Sequence, residues 1–190
     1  MFYVTEGAKP YLIFMCRIAG IVDSLRYPDQ LKEDVELMIT RMIHGGPDGR
    51  GILLNKTTGL GHCRLSLLDL SDAAAQPMCF QDNSYCITYN GEVYNFSEIK
   101  KELISLGHHF TTSSDTEVIL YAFKQWGVKS FSKFNGMFAF AIYDNIEQKV
   151  YLARDPNGIK PLYYSTVNNQ LIFASETKAF SSFFGEENEY

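Results

Sequence analysis

Cys16 stands directly behind Met15 in the stretch Met15-Cys16-Arg17-Ile18-Ala19-Gly20. Removal of the chain through Met15 would leave a thiol and a free α-amino group on one residue. An α-amine titrates near pH about 8, far closer to neutrality than a lysine amine. It is a base placed to take the thiol proton, as a terminal amine does for threonine nucleophiles. In the chain as written fifteen residues precede Cys16, and a nitrogen in a peptide bond is no base.

Polar, turn-rich clusters follow at intervals. They are His44-Gly45-Gly46-Pro47-Asp48, Gly61-His62-Cys63-Arg64-Leu65-Ser66-Leu67-Leu68-Asp69, Tyr89-Asn90-Gly91-Glu92-Val93-Tyr94-Asn95, Ser113-Ser114-Asp115-Thr116-Glu117 and Ala153-Arg154-Asp155 with Gly158-Ile159-Lys160-Pro161. Each has a plain structural reading. Asn90-Gly91 suits a turn, Asp115 a helix N-terminus, Arg64 an ion pair. His44 and His62 show no metal-ligand spacing. The glycines of 45–51 lack the Gly-Lys-Ser/Thr ending of a phosphate loop.

The elements that must position these clusters can be read from periodicity. A short buried strand is expected over 16–22. A helix over 29–43 places Leu31, Val35, Met38, Ile39 and Met42 on one face. Strands are expected over 52–55 and 60–68, then a loop over 71–83. A further strand over 85–89 ends at the Asn90-Gly91 turn. Helices follow over 97–106 and 115–126, the second with a Ser114/Glu117 capping box. Two hairpins, 137–143 with 149–154 and 162–166 with 170–174, complete the pattern. The tail over 181–190 is polar, acidic and without a partner. Strands, two central helices and more strands favour an α+β or layered sandwich over an alternating βαβ fold.

Composition narrows the class. A net charge of −5 with no basic block gives no nucleic-acid or membrane-surface footprint. Residues 11–15 are apolar but too short for a signal segment, and no run reaches transmembrane length. Cys16, Cys63, Cys79 and Cys86 form no Cys-x-x-Cys pair. Two disulfides are open to them in principle, but free thiols in a reducing, cytoplasmic compartment are expected.

Taken together and in order, the clusters resemble one family. Met-Cys-x-Ile-Ala-Gly, His-x-Gly-Pro-Asp, Gly-His-x-Arg-Leu-Ser, Gln-Pro-Met at 76–78, Asn-Gly-Glu-x-Tyr-Asn and Ser-Asp-Thr-Glu-Val-Ile-Leu are similar to the class II glutamine amidotransferase domain. The wording is similar to that of the glutaminase half of glutamine-hydrolysing asparagine synthases of the bacterial B type. The resemblance implies an N-terminal-nucleophile hydrolase fold, a four-layer αββα sandwich with two antiparallel sheets. It implies that Cys16 attacks the glutamine side-chain amide and that Asn90 and Gly91 hold the oxyanion. Arg64 then takes the α-carboxylate and Asp115 the α-ammonium, with Leu65, Ser66, Leu67, Leu68 and Glu92 lining the pocket. Glutamine is the implied substrate and a synthetase domain, in cis or trans, the implied partner, with a homodimer as a further possibility. No cofactor is implied here; ATP and Mg belong to a synthetase domain outside these residues.

The implied organisation is an extension over 1–15, an amidotransferase domain over 16–180 and the start of a linker over 181–190. The extension is a mis-assigned start, a propeptide, or part of a catalytically silent relative with a structural or docking role. Two positions depart from the family pattern. Arg17 follows the nucleophile where a small residue is usual, so it must point away or crowd the pocket. Gly45 stands where the family has an arginine, which removes a cation and loosens the loop.

Overall fold

A computed structural model describes residues 15–65, 75–167 and 169–184. The described strands are β1 (Arg17–Val22), β2 (Gly49–Leu54), β3 (Thr58–Arg64), β4 (Met78–Cys79), β5 (Tyr85–Val93), β6 (Gly136–Asp144), β7 (Lys149–Arg154), β8 (Tyr163–Val167) and β9 (Gln170–Ala174). The helices are α1 (Pro28–Arg41), α2 (Phe96–Ser105), α3 (Asp115–Trp126) and the short α4 (Ser181–Phe184), with a 3-10 turn over Gly127–Lys133. The strands form two antiparallel sheets, β2-β3-β1-β9-β8 and β4-β5-β6-β7.

Side-chain alternation along each strand builds the layers. On one face of the first sheet, Ala19, Ile21, Cys63 and Ile172 pack with Leu31, Val35, Met38 and Ile39 of α1. Gly59 and Gly61 allow this approach: a Cβ on either would lie 2.7 Å or less from Val35 or Ile39. The opposite face carries Leu60 and Phe173, which meet Ala141 and Tyr143 of the second sheet. Beyond that sheet, Ile87, Phe138, Phe140 and Ile142 pack against Leu103 of α2 and Val118, Ile119 and Phe123 of α3. Each such fully buried side chain contributes roughly 1.5–3 kcal/mol. Helix, sheet, sheet and helices make the expected αββα sandwich.

Local differences have physical causes. β5 does not end at Asn90-Gly91 but continues to Val93, with Gly91 opposite Phe138. Gly91 is there for strand approach: a Cβ would stand 2.3 Å from the Met137 carbonyl oxygen. The segment expected as a loop over 71–83 contains β4, while 71–74 fall outside the described residues. The strand expected to reach 68 ends at Arg64. Ser114 does cap α3, accepting from Thr116 N–H, but Glu117 forms no capping box. Its carboxylate instead accepts from the backbone and hydroxyl groups of Thr111 and Thr112 at 2.7–3.0 Å. The start of the tail also has partners, since Phe183 packs under α1 and Phe184 meets Phe180.

The expectation of four free thiols is corrected as well. Cys79 and Cys86 lie opposite one another across β4 and β5 and are joined as a disulfide. Cys16 and Cys63 are free. The register, not sequence spacing, creates the pair. Among the described residues, no helix is long and apolar enough to cross a membrane.

Candidate functional site

Cys16 sits immediately before β1 and is half-buried. Its Sγ accepts from the Leu65 N–H at 3.3 Å, and the thiol reaches the Leu65 carbonyl at 3.7 Å. Cys16 is therefore tied to the chain that leaves β3 just past Arg64. Burial pushes the Cys16 thiol upward, while Leu65 N–H, Lys160 and Arg64 pull it down.

Asn90 and Gly91 lie on β5. Asn90 shares its strand face with Thr88, whose hydroxyl donates to Gly61 O across the gap between the sheets at 3.0 Å. The Asn90 side chain is thus aimed between the sheets. It is 2% exposed, and its Nδ2 has no hydrogen-bond partner among the described residues. A buried amide without an acceptor costs about 1–3 kcal/mol.

Gly91 follows from ladder geometry. Alternate residues of an antiparallel pair exchange their backbone bonds. Phe138 directs its N–H and C=O to Asp155, so Gly91, opposite it, points its N–H away from β6. Its neighbours of the same parity do likewise: Tyr89 N–H donates to Gln76 Oε1 at 2.6 Å and Val93 N–H to Asp115 Oδ2 at 3.1 Å. β4 ends before reaching this segment.

Asp115, at the first turn of α3, is held by Val93 N–H and by the Tyr89 hydroxyl at 2.7 Å. Burial raises its carboxyl above the usual range, opposed by those bonds, and Glu92 adds to the rise. Glu92 also acts on Lys160, and Lys160 and Arg64 on Cys16. Leu65 is thus hydrogen-bonded to Cys16, electrostatic interactions link Cys16, Arg64, Lys160, Glu92 and Asp115, and Asn90 and Gly91 precede Glu92 along β5. Ser66, Leu67 and Leu68 lie outside the described residues. Among the described residues, no group of three His, Cys, Asp or Glu side chains converges on a metal-sized point.

Arg17 points away from this neighbourhood. It shares the β1 face of Ala19 and Ile21, on the α1 side, and its side chain runs over Gly45. Its Nε meets Glu176 Oε1 at 2.5 Å and its Nη1 donates to the Met15 and Cys16 carbonyls at 2.7 and 3.2 Å. Glu176 also binds His44 and Lys178 at 3.1 and 3.0 Å. Arg17 thus lays its guanidinium against Gly45.

Two residues named in the sequence reading were given no place in the site. His62 is buried, and its Nε2 donates to Tyr89 O at 3.1 Å, since a carbonyl can only accept. Burial lowers its pKa to about 4. Lys160 is also buried, beside Met15 and Cys16. Its signal was the polar loop over 153–161, which was noticed without a role.

Comparison with known proteins agrees with this fold. The family description "Glutamine amidotransferase domain" matches residues 15–189. Asparagine synthetase [glutamine-hydrolyzing] 1 of Bacillus subtilis is 41% identical over 87% of this chain and 26% of that protein. Asparagine synthetase B of Escherichia coli is 37% identical over 87% of the chain and 30% of its own length. The chain thus spans under a third of either relative. The solved structure of glutamine phosphoribosylpyrophosphate amidotransferase from B. subtilis, complexed with ADP and GMP, superposes with a TM-score of 0.73. It is 25% identical, covering 87% of this chain and 43% of that one. Fold, motif order and family match converge: the chain belongs to the glutamine amidotransferase domain family.

Proposed function

We propose that the domain hydrolyses glutamine to glutamate and ammonia, and that the ammonia passes to an acceptor on a synthetase domain, aspartate in asparagine formation. The observation that carries this is the buried, unpartnered Nδ2 of Asn90, on the face of β5 turned towards the first sheet. A donor held without an acceptor in the resting site is pre-aimed for charge that develops during reaction.

In this reading the Cys16 sulfur attacks the side-chain amide carbon, and the carbonyl oxygen becomes an oxyanion held by Asn90 Nδ2–H and Gly91 N–H. The thiol proton goes to the α-amine of Cys16 once that nitrogen is free, and from there to the departing ammonia. Water then cleaves the thioester. Arg64 suits the substrate carboxylate as a forked cation, and Asp115, with Glu92 nearby, suits the ammonium. ATP and Mg belong to the synthetase partner. A cytosolic setting fits a biosynthetic role.

The test is the intact mass of protein made in cells, followed by glutamate release. A species beginning at Cys16 should release glutamate from glutamine and lose that activity in Cys16→Ala. A correctly processed species without glutamate release refutes the reading.

A second reading, a silent domain with a structural or docking role, has one observation in its favour. Met15 is built into the structure, its N–H donating to Gly45 O at 3.0 Å and its carbonyl accepting from Arg17. Full-length protein that persists uncut in cells and releases no glutamate would support it.

A further inference from the structure

Where β4 stops, side chains take over the free edge of β5. β4 pairs with β5 at Met78–Ile87 and Cys79–Cys86. Carried two places further, the same register sets Gln76 opposite Tyr89. Gln76 lies outside β4, however, and its backbone is drawn to the first sheet. Its carbonyl oxygen lies so close to β2 that a Cβ on Gly51 would overlap it. The Gln76 side chain spans the remaining gap, and its Oε1 accepts from Tyr89 N–H at 2.6 Å. His62 meets the other outward group of that residue, its Nε2 donating to Tyr89 O at 3.1 Å. Beyond Gly91, Asp115 accepts from Val93 N–H at 3.1 Å and from the Tyr89 hydroxyl at 2.7 Å. Tyr89 is thus held at its N–H, its C=O and its hydroxyl. Among the described residues, Gly91 N–H is the outward donor between Tyr89 and Val93 that no side chain takes.

Two peptide planes meet at Tyr89. Gln76 fixes the plane before it through the N–H, and His62 the plane after it through the C=O. That second plane ends in the Asn90 nitrogen, and Gly91 is one residue on. The β6 edge does not fix Gly91 directly, because Phe138 opposite it sends both backbone groups to Asp155. We propose that Gln76 is a positioning residue for glutamine hydrolysis: with His62 it takes the place of a continued β4, fixes the Tyr89 peptide planes, and so aims Asn90 and Gly91 at the developing oxyanion. Donors fixed in advance need no reorganisation as charge develops, and the residues that lock them decide how well they are aimed. A water at the same place would satisfy the Tyr89 N–H but would not set its plane. The catalytic role rests on the amidotransferase reading; the grip on Tyr89 does not.

Backbone hydrogen exchange, followed by NMR on the full chain from Met1, reads the grip without any activity. Tyr89 N–H should be protected in the wild type, and a freely exchanging one overturns the proposal. Gln76→Met keeps the length of the side chain and removes the acceptor, so Tyr89 N–H should exchange about tenfold faster. In the processed enzyme, Gln76→Met should lower kcat for glutamate release by about tenfold. KM for glutamine should stay within about twofold, because Arg64 and Asp115 are untouched. Gln76→Glu, whose carboxylate accepts from the same N–H, should restore most of kcat. A folded Gln76→Met with wild-type kcat, or with KM raised and kcat kept, overturns the proposal. Should that variant not fold, Gln76→Glu decides, and a kcat below about a tenth of wild type overturns it. A processed wild-type enzyme that releases no glutamate refutes the amidotransferase reading and the catalytic role with it, while the exchange rates still report the grip.

Discussion

Arg17 lies across Gly45. A Cβ on Gly45 would stand 2.8 Å from Cγ and Cζ of Arg17 and from the Met15 carbonyl oxygen. The arginine cannot yield easily, because Glu176 and two backbone carbonyls hold its guanidinium. Positions 17 and 45 are therefore sterically coupled. Gly45→Ala should cost about 1–3 kcal/mol by overpacking, read from urea unfolding midpoints. In an Arg17→Ala background the same change should cost less than half as much. Equal costs in both backgrounds would show that the residues are independent.

Asn90 separates activity from stability. Its Nδ2 is buried without a partner, so the resting fold gains little from it. Asn90→Ala should lower kcat for glutamate release in the processed enzyme by roughly 10²–10³-fold. Thermal unfolding should show stability unchanged or slightly raised, because an unsatisfied donor is removed. A large loss of stability would instead mark Asn90 as structural.

Much of this arrangement was legible along the chain, where local pattern and tertiary demand agree. The apolar stripe of α1 and the Ser114 start of α3 are local signals, and both elements form where they were read. Asn90-Gly91 misled because its turn preference is local, whereas the close approach of Met137 is set by a strand more than forty residues away. Arg17 was legible only as a difficulty, since the room it needs is made by Gly45. Cys79–Cys86 depends on register across a strand too short to show period-2 alternation. Lys160 was hidden because the groups that build its loop are ordinary turn residues taken singly.

The Tyr89–Asp115 hydrogen bond predicts a pH effect with a definite sign. The phenol donates to a carboxylate already raised by burial. Removing the donor disfavours the charged carboxylate and raises its pKa further. In Tyr89→Phe the acid limb of kcat/KM for glutamine should move to higher pH, and KM should rise more than kcat falls. An acid limb that stays in place would show that Asp115 does not hold the substrate ammonium.

His62 predicts the acid stability of the fold. Folded, it is neutral with a pKa of about 4, against 6.5 for the free group. Between those values the unfolded chain binds more protons than the folded one, so stability falls as pH falls. The contribution is complete above about 6.5 and lost by about 4, amounting to roughly 3 kcal/mol. Asp115, whose pKa is raised, acts in the opposite sense above its unfolded value of 3.8 and offsets part of the loss. Glu176, Glu117 and Asp155, whose pKa values are lowered, add their losses as pH falls through the ordinary carboxylate range. Chemical denaturation at intervals from about pH 7 to 5, above most carboxylate titration, should show this slope in wild type. His62→Gln should flatten it while lowering stability at neutral pH, and a slope unchanged in that variant would assign the acid sensitivity to other groups.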